Sequence, residues 1–247
     1  METLINKVGI IISGCDKYLP LADIQFHFFR KYWSECPLDI HYITDVNPLT
    51  SITDGLCVGN YMTRIPPLGP ADWSRNLSML LSWLNYEYII YLQDDYFFTE
   101  PVDEIRLKKL IEYIMSNDVN YVRFYSCPAI GDLVDVCENL KLRDIIKKSN
   151  FRSSLMASIW KKSTLQSLLK KNMGCTPWQF EHNQQNNEYD KFYCVYLTKD
   201  GTSDVIKFEG LYGASSGLGI YPQHKELLRK ENIIRPNGDP VDLEMKL

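Results

Sequence analysis

The chain has 247 residues, and 27 Lys plus Arg against 31 Asp plus Glu give it a formal net charge of −4. Hydrophobic residues at 45% and charged residues at 23% exclude a disordered or collagen-like chain, and the length is ordinary for one α/β domain. A sequence pI near 5.6 argues against the broad basic face of a nucleic-acid-binding protein.

The first half alternates strand and helix signals. Lys7 to Ser13 is a short apolar run ending at Gly14, which predicts a buried strand. Leu19 to Trp33 carries Leu21, Ile24, Phe28 and Trp33 near helical spacing. Leu38 to Thr44 alternates and ends at Asp45, and Tyr61 to Ile65 precedes Pro66-Pro67, so both are expected strands. Asp72 is a good N-cap for a helix to about Asn85. Tyr88 to Leu92 is an unbroken apolar strand, as at the centre of a covered sheet. A helix from Asp103 to Met115 and a strand from Tyr121 to Tyr125 follow. Alternating strands and helices imply crossover connections and a mostly parallel central sheet flanked by helices.

After residue 126 the pattern loosens. Glu138 to Lys148 is expected as a helix, Leu155 to Trp160 as a strand and Lys161 to Lys171 as a helix. Pro177 starts another short helix. Lys191 to Leu197 and Val205 to Phe208 are strand-like. Gly210, Gly213, Gly217 and Gly219 mark a loop suited to act as a lid, and Gln223 to Lys230 suggests a last helix. Residues 1–247 are expected as one domain of two halves, 1–126 and 127–247.

No stretch approaches the roughly 18 apolar residues of a spanning helix, and the run Val8 to Ile12 is shorter than a signal-peptide core of about 7–15 residues. The expected location is the cytoplasm. The seven scattered cysteines, without a CxxC, agree with a reducing compartment, and no Cys/His cluster has zinc-ligand spacing.

Ligands of open α/β sheets bind beyond the carboxyl ends of the strands. That directs attention to Ser13-Gly-Cys-Asp16, Asp45 and Gln93-Asp94-Asp95. Two adjacent carboxylates after an apolar strand repel each other and are costly to bury. Mg²⁺ or Mn²⁺ resolves both problems, because hard cations take oxygen ligands and share them with phosphates. The alternative is a solvated strand end.

The segment from Asp72 through Arg75-Asn76 and Glu87-Tyr-Ile89 to Asp94-Asp95 resembles the central signature of family 2-type, GT-A fold glycosyltransferases. There an Arg-Asn pair opens a helix that leads into a strand ending in a DxD-type acidic motif. Here that motif is Gln-Asp-Asp, and the Arg-to-Asp spacing is slightly longer. The resemblance implies a GT-A-like sheet, with Ser13, Asp16 and Asp45 holding the nucleotide. Asp95 would bind the metal, and Asp94 would coordinate it or contact the ribose. Arg75 would grip the diphosphate through paired hydrogen bonds. Asp45 is equally readable as a turn residue before Asn47-Pro48, and Arg75 as half of a surface ion pair.

Thr176-Pro-Trp-Gln-Phe-Glu181 resembles the Trp-x-x-Glu segment that closes the acceptor side in bacterial glycosyltransferases. It implies that Trp178 stacks on a sugar ring and that Glu181 is the general base for the acceptor hydroxyl. Core packing for Trp178 and a plain helix carboxylate for Glu181 are the alternatives. His224 corresponds to a late metal contact in some GT-A enzymes, against a reading as a surface histidine. Lys225 and Arg229 nearby would help hold a diphosphate. The implied activity is inverting, metal-assisted transfer from a nucleotide-sugar donor to a glycan or lipid-linked glycan, with peripheral membrane docking in the latter case and surface polysaccharide as the product. Two other functions fit the scaffold. One is a noncatalytic glycan- or nucleotide-binding protein. The other is a nucleotidyltransferase that makes the sugar nucleotide, which the single glycine after the first strand counts against.

Overall fold

The computed structural model describes residues 6–44, 58–62, 73–125, 131–196, 205–211 and 220–233. Asp45, the Asp72 N-cap, residues 63–67, Cys57, Cys127 and Gly213, Gly217 and Gly219 lie outside them.

The first half runs β1 (Val8–Ser13), a single 3-10 turn (Asp16–Tyr18), α1 (Leu19–Tyr32), β2 (Ile40–Thr44), β3 (Val58–Met62), α2 (Trp73–Trp83), β4 (Tyr88–Gln93), β5 (Tyr96–Phe98), α3 (Glu104–Ser116) and β6 (Tyr121–Arg123). The second half adds β7 (Leu133–Cys137), β8 (Leu140–Asp144), β9 (Ser158–Lys161), α4 (Lys162–Lys170), α5 (Pro177–Asn183), β10 (Phe192–Val195), β11 (Phe208–Gly210) and α6 (Pro222–Glu231). Nine strands form one sheet in the order β3-β2-β1-β4-β9-β6-β10-β8-β7, and β11 pairs with β5 in a separate two-stranded ribbon. In the large sheet only β9 and β8 run against the common direction, so the sheet is mostly parallel in strand sense. β9, from the second half, is inserted between β4 and β6 of the first.

Strand alternation explains the layering. Ile10 and Ile12 point to the face covered by Phe26 and Phe29 of α1 and by Leu107, Leu110 and Ile114 of α3. Ile11, Ile89 and Tyr91 point to the opposite face, against Leu77 and Leu81 of α2, Leu165 and Leu169 of α4, and Phe180 of α5. A third cluster joins Leu21, Ile24 and Phe28 of α1 to Phe97 of β5 and Leu228 of α6.

Three sequence expectations are corrected. Glu138 to Lys148 is not a helix but the turn and second strand of the β7–β8 hairpin. Leu140 and Leu142 are buried while Lys141 is exposed, a period of two, and Asn139 takes the left-handed turn conformation with φ of 62°. Val205 and Ile206 are core residues ahead of the strand rather than its start. Gly210 belongs to β11, where it pairs with Tyr96, so the expected lid cannot begin there.

Arg152 holds the second half together. Its Nε donates to Ile145 O at 3.1 Å, Nη1 to Asn187 Oδ1 at 2.8 Å and Nη2 to Tyr189 O at 2.7 Å, and the guanidinium lies 4.3 Å over the Phe192 ring. Arg152→Met would orphan these buried acceptors. Its expected cost is about 3–4 kcal/mol in urea denaturation. A loss below about 1 kcal/mol would contradict this role.

Candidate active site at the carboxyl edge of the sheet

The ends of β1, β2 and β4 are tied together at one point. Gly14 N donates to Ile43 O and Asp94 N donates to Ser13 O, both at 3.1 Å. Asp94 is 4% exposed, and its carboxylate accepts from the Tyr42 hydroxyl at 3.4 Å and from the Cys15 backbone N–H. Burial, together with the neighbouring Asp95, pushes the Asp94 carboxyl well above the ordinary range. Gly14 is required here by close approach: a Cβ would lie 2.5 Å from both Asp94 Oδ2 and the Tyr42 hydroxyl. Asp94 thus braces the strand ends.

Asp95 is half-buried one residue further on. Desolvation pushes its carboxyl up to about 6. The Asp95 carbonyl accepts from Leu211 N at 2.6 Å, which fixes the start of the β5–β11 ribbon. Tyr96 next to it is raised by burial and then by the charges of Asp95 and Glu181, so its ring lies in the field of both carboxylates.

Ser13 caps the edge from β1. Trp73 Nε1 donates to Ser13 Oγ at 3.1 Å and reaches the Tyr91 hydroxyl at 3.3 Å. These bonds set the N-terminus of α2 on the sheet edge, with half-buried Arg75 in its first turn. Asp16 lies in the 3-10 turn just after β1.

α5 arrives from the second half. Thr176 and Gln179 close a reciprocal capping box with Pro177 in the first turn. Cys175 N donates to Ser74 Oγ at 3.1 Å, and Phe180 packs edge-on against Trp73 at 5.4 Å, so α5 docks on the start of α2. Trp178 is 58% exposed, three residues before Glu181. Glu181 turns inward, where its Oε1 accepts from Ser154 Oγ at 3.0 Å and from Leu155 N at 2.5 Å. Burial raises its carboxyl, opposed by these two bonds and by the charge of Arg123.

Ser13, Asp95, Glu181 and the first turn of α2 thus gather at one edge, with Asp94 beneath it. His224 sits on α6, its Nε2 3.6 Å from Glu209 Oε2 and its ring edge-on to Phe97 at 5.2 Å. Among the described residues no three His, Cys, Asp or Glu side chains group closely enough to hold a metal ion. The chemistry of the donor set fits a hard cation, for which Asp95 would supply a carboxylate oxygen. Sequence reasoning missed Arg123, Tyr42 and Trp73. Only the aromatic character of the last two was visible, and nothing in a strand sequence marks a buried arginine.

No family model and no curated protein matches the chain. Among solved structures it is similar to S. aureus TarS. A crystal structure of TarS 1–349 is 13% identical, with 67% of this chain and 49% of that chain covered and a TM-score of 0.38. A second TarS crystal structure is 8% identical, with coverages of 76% and 36% and a TM-score of 0.41. TarS 1–349 in complex with UDP is 10% identical, with coverages of 76% and 60% and a TM-score of 0.39. This chain therefore spans 36% to 60% of the lengths of those chains. Among the described residues no helix is long and apolar enough to cross a membrane.

The raised Asp95 carboxyl has a signature in stability. The fold favours its neutral form, so this contribution is complete below about pH 4 and is lost as pH rises through about 6. Asp95→Asn should raise the melting temperature of metal-free protein by roughly 5 °C at pH 7.5, with little change at pH 4. An unchanged or lower melting temperature at pH 7.5 would contradict a desolvated, ionised Asp95.

Proposed function

We propose that the chain is a glycosyltransferase that moves a sugar from a nucleotide-diphosphate donor to a hydroxyl of a glycan acceptor. One observation carries this reading: two half-buried carboxylates whose proton affinity burial raises, Asp95 and Glu181, both exert their charge on Tyr96 just beyond the end of β4. A binding module needs neither. Clustered, desolvated carboxylates are a cost that catalysis repays.

In this reading Ser13 and Asp16 line the nucleotide side, and Arg75 meets the diphosphate from the first turn of α2. Asp45 retains its expected part with the nucleotide. Asp95 would hold Mn²⁺ or Mg²⁺, which when bound neutralises charge developing on the leaving diphosphate. Asp94 supports Asp95 from below. The exposed indole of Trp178 offers the acceptor a flat apolar face, and Tyr125 and Tyr221, also exposed, lie near enough to Tyr96 to influence it.

Glu181 is the base. With Oε1 engaged by Ser154 and Leu155, its other oxygen is available to the acceptor hydroxyl. The acceptor oxygen forms a bond to the anomeric carbon as the bond from that carbon to the diphosphate breaks. The hydroxyl proton passes to Glu181, and the bonding pair leaves on the diphosphate. A single displacement inverts the anomeric centre. A surface polysaccharide precursor is the acceptor we favour; a lipid-linked form would require docking at a membrane face.

The test is a screen of common sugar nucleotides with Mn²⁺ and Mg²⁺, followed by transfer assays on the donor found. Glu181→Gln should keep donor affinity and lower transfer by about 10²–10⁴-fold. Transfer at near the parental rate would remove Glu181 as the base, and a product with retained anomeric configuration would exclude the single displacement.

A further inference from the structure

Among the described residues two arginines are buried, and they are treated in opposite ways. Arg152 is 2% exposed and uses Nε, Nη1 and Nη2 in hydrogen bonds. Arg123, at the end of β6, is 3% exposed, yet its Nη1 makes one long bond to Phe151 O at 3.3 Å while Nε and Nη2 have no partner. Those two nitrogens form the guanidinium edge that normally grips a carboxylate. A buried cation left this way costs several kcal/mol, and an apolar residue of similar volume would pack without that penalty.

Its position explains the charge. β6 pairs with β9 and β10 so that Arg123 stands beside Ser158 and Cys194, and Ser158 in turn faces Tyr91 of β4. Alternation sends Arg123 to the same face as Tyr121, the face on which Phe180 of α5 packs. Arg123 of β6 acts on Glu181 through its charge, and Glu181 in turn acts on Tyr91 of β4 and Tyr96 of β5. Both tyrosines are neutral in the working pH range, so Arg123 is the one cation among them.

We propose that Arg123 is a positioning residue for Glu181: it acts across the protein interior, without direct contact, to keep the carboxylate ionised and aimed so that it can accept the acceptor proton. This rests on the reading of Glu181 as the base. The unpartnered fork is then functional. A direct bidentate pair would lock Glu181 and make it a poor base, whereas a cation at one remove stabilises the ionised form and leaves an oxygen for the substrate. Taking up the proton leaves Arg123 uncompensated, which drives the proton onward once product departs.

The sign of the effect is fixed. Without Arg123, burial acts on Glu181 with less opposition, its proton affinity rises, and a higher pH is needed to ionise it. The primary test uses metal-free protein and no substrate: the Glu181 carboxyl is titrated by NMR in ¹³C-glutamate-labelled protein and assigned with Glu181→Gln. Arg123→Met and Arg123→Gln should shift that titration up by about one unit, and Arg123→Lys should leave it near the parental value. In transfer assays the acidic limb of the pH–rate profile should move up by the same amount, making the neutral variants about tenfold slower below the limb and close to parental at high pH. An unmoved Glu181 titration would overturn the proposal, as would a uniform loss of rate at every pH. Failure of both neutral variants to fold would assign the arginine to the scaffold and overturn it too. A shifted titration in a protein that transfers no sugar would instead count against the proposed function.

Discussion

The buried Asp94 carboxylate is the constraint from which the site follows. It accepts from Tyr42 and from the backbone N–H of Cys15, and so pins the end of β4 to β2 and to the loop after β1. A glycine is needed at position 14 because the carboxylate and the phenol leave no room for a side chain. Asp94 is buried, and Asp95, next in the same turn, is left half-buried beyond the end of β4. The repulsion between the two is felt most by Asp94, whose proton affinity is raised by burial first and by Asp95 second.

The other side of the site depends on a docking event between distant parts of the chain. Trp73 bonds to Ser13 and packs on Phe180, so one indole connects the end of β1, the start of α2 and the helix that carries Glu181. α5 has only seven residues and would not persist alone; its capping box and the buried Phe180 hold it. Glu181 therefore owes its place to packing among three elements.

Much of the fold was legible because burial was legible. β1 and β4 read as unbroken apolar runs since both faces of the sheet are covered, and α3 read correctly from its apolar spacing, with Asp103 accepting from Arg106 N at 2.9 Å as the cap. The β7–β8 hairpin was misread because a run rich in Leu, Lys, Arg and Asp also suits a helix; the decisive signals were the period of two and the turn at Asn139. At the site, Asp95 and Glu181 could be found as acidic residues at strand and helix positions. Their relation to Asp94 and Arg123 could not, since it depends on burial at adjacent positions and on contacts between residues tens of positions apart.

The central claim is that a divalent cation and a nucleotide diphosphate meet at Asp95. Paramagnetic broadening by substoichiometric Mn²⁺ in the presence of UDP or another nucleoside diphosphate, read residue by residue in ¹H–¹⁵N NMR spectra, tests it directly. The account predicts that the amides of Ser13, Gly14, Asp95 and Tyr96 broaden first, and that Asp95→Ala abolishes the effect. Broadening centred on another part of the chain, or unchanged in the variant, would contradict it.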